Sequence, residues 1–203
     1  MTPTPSQWDV LDEAHRALRA AVSQVPADAW KSPTPCAEWN VAQVLQHAAG
    51  DQLAYAAKLT GGAGPDYDPF APTGTFAESG GGTPQALLED ALSRTAEAFA
   101  VVAPADESVP VPLPPFQLPA AQAAAAAALD AAVHAWDIAV ATGGPSPLAP
   151  ALARTLRPVA DALVEPLRGF AFAAALRPRP GADEATALLN HLGRDAHWAP
   201  PAH

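Results

Sequence analysis

The sequence predicts an all-α fold: an up-and-down bundle of four main helices followed by an additional C-terminal helical segment, in one domain spanning residues 1–203. Three observations support this prediction. Apolar residues recur at three- and four-residue steps in long segments, as they do on the buried face of a helix. About a quarter of the residues are alanine, the best helix former, and the 24 prolines fall mostly between those segments. No stretch of useful length alternates apolar and polar residues as a half-buried strand would.

The first two helices have clear limits in the sequence. Residues 6–25 form the first helix, and Pro26 ends it. Asn40 opens the second helix as its N-cap, Gln43 completes a capping box, and Gly61-Gly62 end the helix. Both segments carry an apolar face at helical spacing, formed by Trp8, Leu11, His15, Leu18, Val22 and Val25 in the first and by Val41, Val44, Leu45, Ala48, Tyr55 and Leu59 in the second.

Two long loops, at about 61–83 and 103–119, separate the next helices. The first loop is rich in Gly, Pro and Asp, and a loop of this length in a small domain is often functional or mobile. The second has proline at alternate positions, which excludes it from a central strand. The remaining segments are a third helix from about Thr83 to Val102, a fourth at about 120–142, a fifth at about 150–163, a helix or short strand at 167–176, and a short helix from Gly181 to Leu192.

The charge and the termini exclude several function classes. With 11 Lys+Arg against 21 Asp+Glu, the net charge is −10, so we expect no nucleic-acid partner and no anionic membrane surface. No apolar run long enough to cross a membrane occurs outside the alanine-rich stretches, and the N-terminus lacks the features of a signal peptide. We therefore expect a cytoplasmic protein. Its one cysteine, Cys36, excludes an internal disulfide and any multi-cysteine metal site.

The fourth helix carries two stripes at helical spacing. Leu129, Val133, Trp136 and Val140 form an apolar stripe that we expect to be buried in the core. A second stripe about a quarter-turn away consists of Asp130, His134, Asp137 and Ala141. Carboxylates one turn before and one turn after an imidazole can converge on one point, which is how helical bundles build metal sites.

The second helix offers a partner for this polar stripe, because His47 lies on the shoulder of its apolar face with Asp51 one turn later. Two histidines and one carboxylate from two helices would form a three-ligand site with its fourth position open for water or substrate, as in catalytic zinc sites. A surface ion pair is the alternative interpretation of the same spacing. Asp137 stays open as a competing ligand, and Asp51 and Asp137 are the nearest candidates for a general base.

Other titratable residues have simpler interpretations. His15 lies within an apolar stripe and is expected to be a hydrogen-bonded core histidine. His191, His197 and His203 lie in the tail and are expected to be solvated. Cys36 is expected to be a small packing residue, with a reactive thiolate at a helix N-terminus as the alternative.

Four blocks of the sequence carry recognisable motifs. They are Thr34-Pro35-Cys36-Ala37-Glu38-Trp39-Asn40-Val41 with Leu45-Gln46-His47; Pro114-Pro115-Phe116 through Pro119; Asp130-Ala131-Ala132-Val133-His134-Ala135-Trp136-Asp137-Ile138-Ala139 with Thr142-Gly143; and Leu192-Gly193-Arg194-Asp195 to Trp198. Together these blocks resemble the actinobacterial DinB-like proteins, and more narrowly the metal-binding domain of the mycothiol-dependent maleylpyruvate isomerases. They occur in the family's order across about residues 6–198.

The resemblance implies a DinB-like four-helix bundle with a divalent metal, commonly zinc or nickel. It places the metal ligands on His47, Asp130 and His134. Position 130 carries Asp where the isomerase itself is expected to have Glu, a side chain longer by one methylene. The chain is also expected to lack the separate C-terminal domain of the full isomerase, so activity on maleylpyruvate itself is not implied.

The leading hypothesis is a metal-dependent transferase or isomerase that uses a low-molecular-weight thiol such as mycothiol on a small electrophilic substrate held beneath the 61–83 loop. The alternative from another class is a non-catalytic binding or regulatory module on the same bundle, with a degenerate or structural metal site. A homodimer is a weaker alternative, based on the close packing that alanine-rich helix faces permit.

Overall fold

Within residues 8–76 and 82–201, which the computed structural model describes, six α-helices carry the fold. The architecture confirms the predicted all-α class: a DinB-like four-helix bundle, α1 to α4, followed by a C-terminal helical segment of two further helices. The helices are α1 (Asp9–Ser23), α2 (Val41–Thr60), α3 (Pro84–Ala100), α4 (Ala120–Ala141), α5 (Pro150–Leu163) and α6 (Glu184–His191).

The fourth helix lies at the centre of the bundle. Helix α1 packs chiefly against α4, and α2 packs between α3 and α4. Most of α4 is buried because its small alanine side chains let the neighbouring helices approach closely. By length and mean hydropathy α4 resembles a membrane span, yet 83% of its most apolar 18-residue window is buried inside the protein. Its apolar composition is therefore accounted for by its place in the core.

The predicted apolar stripe of α4 faces this core. Leu129, Val133 and Trp136 are buried, with Trp136 only 2% exposed, and Val140 is half-buried against the same cluster. The helical phase assigned from the sequence is confirmed by this burial. The adjoining polar stripe consequently faces the space between α4 and α2.

The helix limits follow local chemistry. The capping box at the start of α2 is present, because the Asn40 side chain accepts from the Gln43 backbone N–H while the Gln43 side chain accepts from the Asn40 N–H. Gly61 ends α2 with φ of 70°, a left-handed conformation that glycine adopts without strain. The first helix ends at Ser23, two residues earlier than predicted, and residues 1–7 lie outside the described part.

The C-terminal helices pack on the bundle through α5, which contacts both α4 and α6. Helix α5 runs through Pro158. The prediction of a helix or short strand at 167–176 is wrong: after a 3₁₀ turn at Glu165–Leu167, the chain is irregular apart from one isolated bridge between Arg168 and Phe172. Arg168 replaces regular hydrogen bonding there by donating to the carbonyls of Ala173 and His191.

Two short strands interrupt the proline-rich loop before α4. Strand β1 (Val109–Pro110) pairs antiparallel with β2 (Gln117–Leu118) in an isolated two-stranded ribbon. Pro110 is tolerated because this ribbon has only edge strands.

The loop after α2 is tied to the first half of that helix as far as residue 76; residues 77–81 lie outside the described part. Gln43 donates to the carbonyl of Pro72, and Gln46 donates to that of Thr75. The Tyr67 hydroxyl donates to the Gln46 carbonyl. These bonds hold the described part of the loop against α2, so it forms a wall of the region between α2 and α4.

Candidate metal centre

The first candidate ligand, His47, is held by the loop after α2. Its Nδ1 donates to the backbone carbonyl of Pro69 over 2.8 Å, which leaves Nε2 facing α4. Pro69 can approach this closely because residue 50, one turn further along α2, is glycine. A Cβ at Gly50 would lie 2.8 Å from Pro69 Cγ, inside any normal contact distance.

The turn before α2 places an aromatic ring on the same histidine. The Thr34 hydroxyl donates to the carbonyls of Cys36 and Trp39 and accepts from the Cys36 N–H, which closes the turn. Trp39 then stacks at a tilt on His47 with ring centroids 4.6 Å apart, and Phe70 from the loop contacts the same imidazole edge-on at 5.4 Å. These rings restrict the imidazole to one orientation and shield it from water.

Helix α4 supplies the other two candidate ligands. Asp130 and His134 are one turn apart, and the tilt of helical side chains toward the N-terminus brings His134 Nε2 within 3.3 Å of Asp130 Oδ1. His47 Nε2 reaches the same oxygen at 3.7 Å from the opposite side. The three donors thus meet at one point between α2 and α4, and all three side chains are at most 16% exposed.

The outer nitrogen of His134 has a partner of its own. Its Nδ1 lies 2.9 Å from Asp137 Oδ2, and Asp137 in turn accepts two-pronged hydrogen bonds from Arg194. Asp137 is completely buried. With Nδ1 occupied in this way, His134, like His47, directs Nε2 inward.

Opposite charges govern the pKa values at the site. Burial by itself raises the pKa of Asp130, but His134 and His47 outweigh that effect and hold this pKa well below its ordinary value. Burial lowers the pKa of His134, yet Asp130 and Asp137 reverse the effect and raise it to about 9. Without a metal, therefore, His134 is an imidazolium between two carboxylates, and a cation binding at Nε2 must displace its proton.

The residues present fit a divalent metal. One donor atom from each of His47, Asp130 and His134 lies within 4.8 Å of the others, a spacing that ligands about 2.0–2.2 Å from a common ion can reach with small side-chain movements. Among the described residues, the second oxygen, Asp130 Oδ2, is buried without a hydrogen-bond partner. A buried carboxylate oxygen without a partner is costly unless something positively charged compensates it.

The chain is similar to known proteins over most of its length. A model of the family described as mycothiol maleylpyruvate isomerase N-terminal domain matches residues 11–139. The chain belongs to this family. Two uncharacterised proteins from different strains of Mycobacterium tuberculosis are each 32% identical to it over 189 residues, which cover 89% of this chain and 95% of the relative. No solved structure matches the chain.

In this member of the mycothiol maleylpyruvate isomerase N-terminal domain family, the structure brings together the three residues that the sequence analysis nominated. Their assignment as metal ligands stays a prediction. Asp51 does not contribute a donor to this group. Burial raises the pKa of Asp51 well above its ordinary value, and the nearby Asp130 raises it further.

Several other expectations have clear outcomes. Burial raises the pKa of Cys36 to about 11, so the residue is a half-buried thiol in the core and not a thiolate. His15 is a buried core histidine, as predicted, and His197 is exposed. The expectation that His191 is solvated is wrong, since its Nε2 is buried 3.6 Å from Asp161; His203 lies outside the described residues.

Three contributors to the site were missed in the sequence. Pro69 contributes only its backbone carbonyl oxygen, a group that every residue type has, so the sequence gives no sign of this contact. Phe70 lies in the 61–83 loop, where no periodic pattern relates its side chain to His47. Arg194 was noted only as part of the family-like ending, and its contact with Asp137, 57 positions earlier, leaves no signal in the sequence.

Proposed function

We propose that this chain is a divalent-metal-dependent enzyme, a transferase or isomerase, in which a low-molecular-weight thiol of the mycothiol type attacks a small electrophilic molecule. Membership of a family described by its mycothiol-dependent isomerase supports the thiol. The His47, Asp130 and His134 cluster supports the metal. The same cluster in a non-catalytic protein would be a structural metal site, and the experiment below separates the two cases.

The observation that carries the proposal is the matched orientation of the two histidines. Each has Nδ1 fixed by an acceptor outside the site, Pro69 O for His47 and Asp137 Oδ2 for His134. This arrangement is the usual support of metal-ligating histidines, because a proton held on Nδ1 leaves Nε2 as the coordinating nitrogen once any proton there is displaced. Two imidazoles and one carboxylate suit zinc or nickel.

Three protein ligands leave one position of a tetrahedral ion for an exogenous ligand. When bound, a divalent cation stabilises the thiolate form of a thiol, which is the nucleophilic form. The chain's own residues would orient the cation through His47 and His134 and exclude water through Trp39 and Phe70. Asp137 is held by Arg194 and His134, so Asp51, whose pKa is raised by burial and by Asp130, is the better placed of the two for proton transfer.

The first test is elemental analysis of protein purified without chelators, together with a metal-edge absorption spectrum. We expect close to one equivalent of zinc or nickel, lost in His47→Ala and retained in the matched control His197→Ala, which alters an exposed histidine away from the cluster. Absence of stoichiometric metal from the unaltered protein would refute the metal-dependent function.

The second test replaces the metal with Co²⁺ and adds mycothiol. If the thiol binds cobalt at the open coordination position, we expect a sulfur-to-cobalt charge-transfer band in the near-ultraviolet absorption spectrum. Bound cobalt whose spectrum does not respond to mycothiol would instead support the non-catalytic module with a structural site.

A further inference from the structure

Arg194 reaches the candidate metal centre from outside the matched family domain, which ends at residue 139. The end of α6 sets its direction. The N–H of Gly193 bonds the carbonyl of Asn190, and the N–H of Arg194 bonds that of Leu189, the two bonds of a Schellman motif. Gly193 has φ of 82°, and a Cβ there would lie 2.8 Å from the Cβ of Ala173. Only glycine suits this turn, and the turn sends residue 194 back toward α4.

The contact that Arg194 makes there is specific. Its Nε lies 2.9 Å from Asp137 Oδ1, and its Nη2 lies 2.8 Å from Oδ2. Two parallel bonds from a planar guanidinium fix the plane of a carboxylate, which a single ammonium group cannot do. The Arg194 side chain is 11% exposed and Asp137 is fully buried, so no solvent competes for this pair.

The fixed carboxylate also orients a candidate ligand. Oδ2 of Asp137 receives bonds from Arg194 Nη2 and from His134 Nδ1, both within 2.9 Å. If the carboxylate plane turned, His134 Nδ1 would lose its acceptor, and the His134 ring would no longer be held with Nε2 toward Asp130. Three residues in direct contact, Arg194, Asp137 and His134, therefore connect the C-terminal segment to the candidate metal centre.

We propose that Arg194 is a positioning residue for the metal centre: by chelating both oxygens of Asp137 it fixes the His134 ring so that Nε2 faces Asp130 and His47. This inference rests on the proposed metal-dependent function for its purpose, while the geometry that it describes can be tested with or without metal. It assigns a role in the site to the C-terminal segment, which lies beyond the residues that the family model matches.

The experiment measures Zn²⁺ affinity by competition with a chromophoric chelator, and the ring signals of His134 by long-range ¹H–¹⁵N NMR. Arg194→Met removes both bonds, and we expect zinc binding about 10- to 100-fold weaker, the usual cost of losing an outer partner of a ligand. Arg194→Lys keeps the charge but not the two-pronged contact, and we expect an intermediate loss. This second variant preserves the test if Arg194→Met fails to fold.

Arg168→Gln is the matched control. Arg168 anchors the same C-terminal segment through the carbonyls of Ala173 and His191, and none of its contacts involves α4. We expect its zinc affinity to stay within about twofold of the unaltered protein. Equal losses in Arg168→Gln and the Arg194 variants would mean that only docking of the segment matters, and would overturn the proposal.

The NMR signal separates this proposal from the proposed function. In unaltered protein and in Arg168→Gln, a slowly exchanging Nδ1–H signal of His134 is expected even without metal, and it should be lost or averaged in Arg194→Met and Arg194→Lys. If no protein binds zinc, the metal-dependent function fails while this signal still decides the role of Arg194. An unchanged His134 signal in either folded Arg194 variant would refute the positioning role.

Discussion

Two buried histidines in this protein show opposite electrostatics. His15 on α1 is 2% exposed and His134 on α4 is 5% exposed, so both have lost nearly all contact with water. Burial lowers the pKa of His15 to about 4 and outweighs the raising effect of the Gln52 hydrogen bond, whereas Asp130 and Asp137 raise the pKa of His134 to about 9. Burial alone therefore does not determine the charge of a core histidine; its hydrogen-bond partners do.

The partner of His15 is neutral. His15 Nε2 donates to Gln52 Oε1 over 3.0 Å, and the Gln52 amide donates to the Ala127 carbonyl, so both groups are satisfied without any charge. This network ties α1, α2 and α4 together. The His134 site is instead built from charges, and an imidazolium between carboxylates can exchange its proton for a metal cation. The neutral network of His15 is therefore suited to stabilising the fold, whereas the charged site at His134 is suited to binding a metal cation.

The largest expected effect comes from removing Asp130, the negative charge that makes the pKa of His134 differ from that of His15. Asp130→Ala should abolish metal retention, on the order of a 100-fold loss in affinity or more, because it deletes one of three ligands. In metal-free protein it should lower the pKa of His134 from about 9 and leave that of His15 unchanged. Elemental analysis and histidine NMR titration measure both effects.

Two further variants sharpen this assignment. Asp130→Glu should preserve or strengthen metal binding, because the extra methylene extends the reach of the carboxylate. Asp137→Asn should weaken binding only partly, since Asp137 contacts His134 at the outer nitrogen. Metal bound to Asp130→Ala but absent from Asp137→Asn would transfer the ligand role to Asp137.

Because burial keeps His15 neutral in the folded protein, we expect the free energy of unfolding to decrease in acid. The folded-state pKa is lowered to about 4 from an ordinary 6.5, so the unfolded chain binds one more proton between these values. The contribution of neutral His15 is fully present above pH 6.5 and decreases as pH falls toward 4, by about 3 kcal/mol. Urea unfolding at several pH values measures it.

His15→Gln is the control for this effect, because its amide can still donate to Gln52 without titrating. Between pH 6.5 and 4, the free energy of unfolding of this variant should fall less steeply with pH than that of the unaltered protein. The difference in slope should correspond to close to one bound proton. Identical slopes for the two proteins would show that His15 is protonated in the folded state or titrates normally.

The smallest expected effect concerns His47, whose outer partner is an uncharged backbone carbonyl. Gly50→Ala places a Cβ against Pro69 and should push that carbonyl away from His47, with about tenfold weaker zinc binding. The substitution favours the helix by about 1 kcal/mol, so weaker binding would not follow from a loosened α2. Gly64→Ala is the matched control. Gly64 lies in the loop that carries Pro69, and a Cβ there would come no closer than 3.7 Å to its nearest neighbour, the Cβ of Ala57. Equal affinities in both variants would exclude a role for Pro69.

Much of the fold was predictable because it depends on short-range rules. The capping box of Asn40 and Gln43, the glycine end of α2 and the bounds of α5 follow from residues within one or two turns of each other. The segment at 167–176 was not predictable in this way. Its backbone groups are satisfied in part by Arg168, through contacts with Ala173 and with His191 23 positions away, and such contacts leave no periodic pattern.

For the site, the sequence by itself determined which residues could meet. Helical geometry places Asp130, His134 and Asp137 on one stripe of α4, and it places His47 on the shoulder of α2. It left Asp130 and Asp137 as alternative carboxylate ligands. Only the tertiary structure decided where each carboxylate lies, with Asp130 beside both histidines and Asp137 paired with Arg194. The physical reason is that side-chain phase along one helix is a local property, whereas the docking of Pro69 and Arg194 depends on packing between segments far apart in the chain.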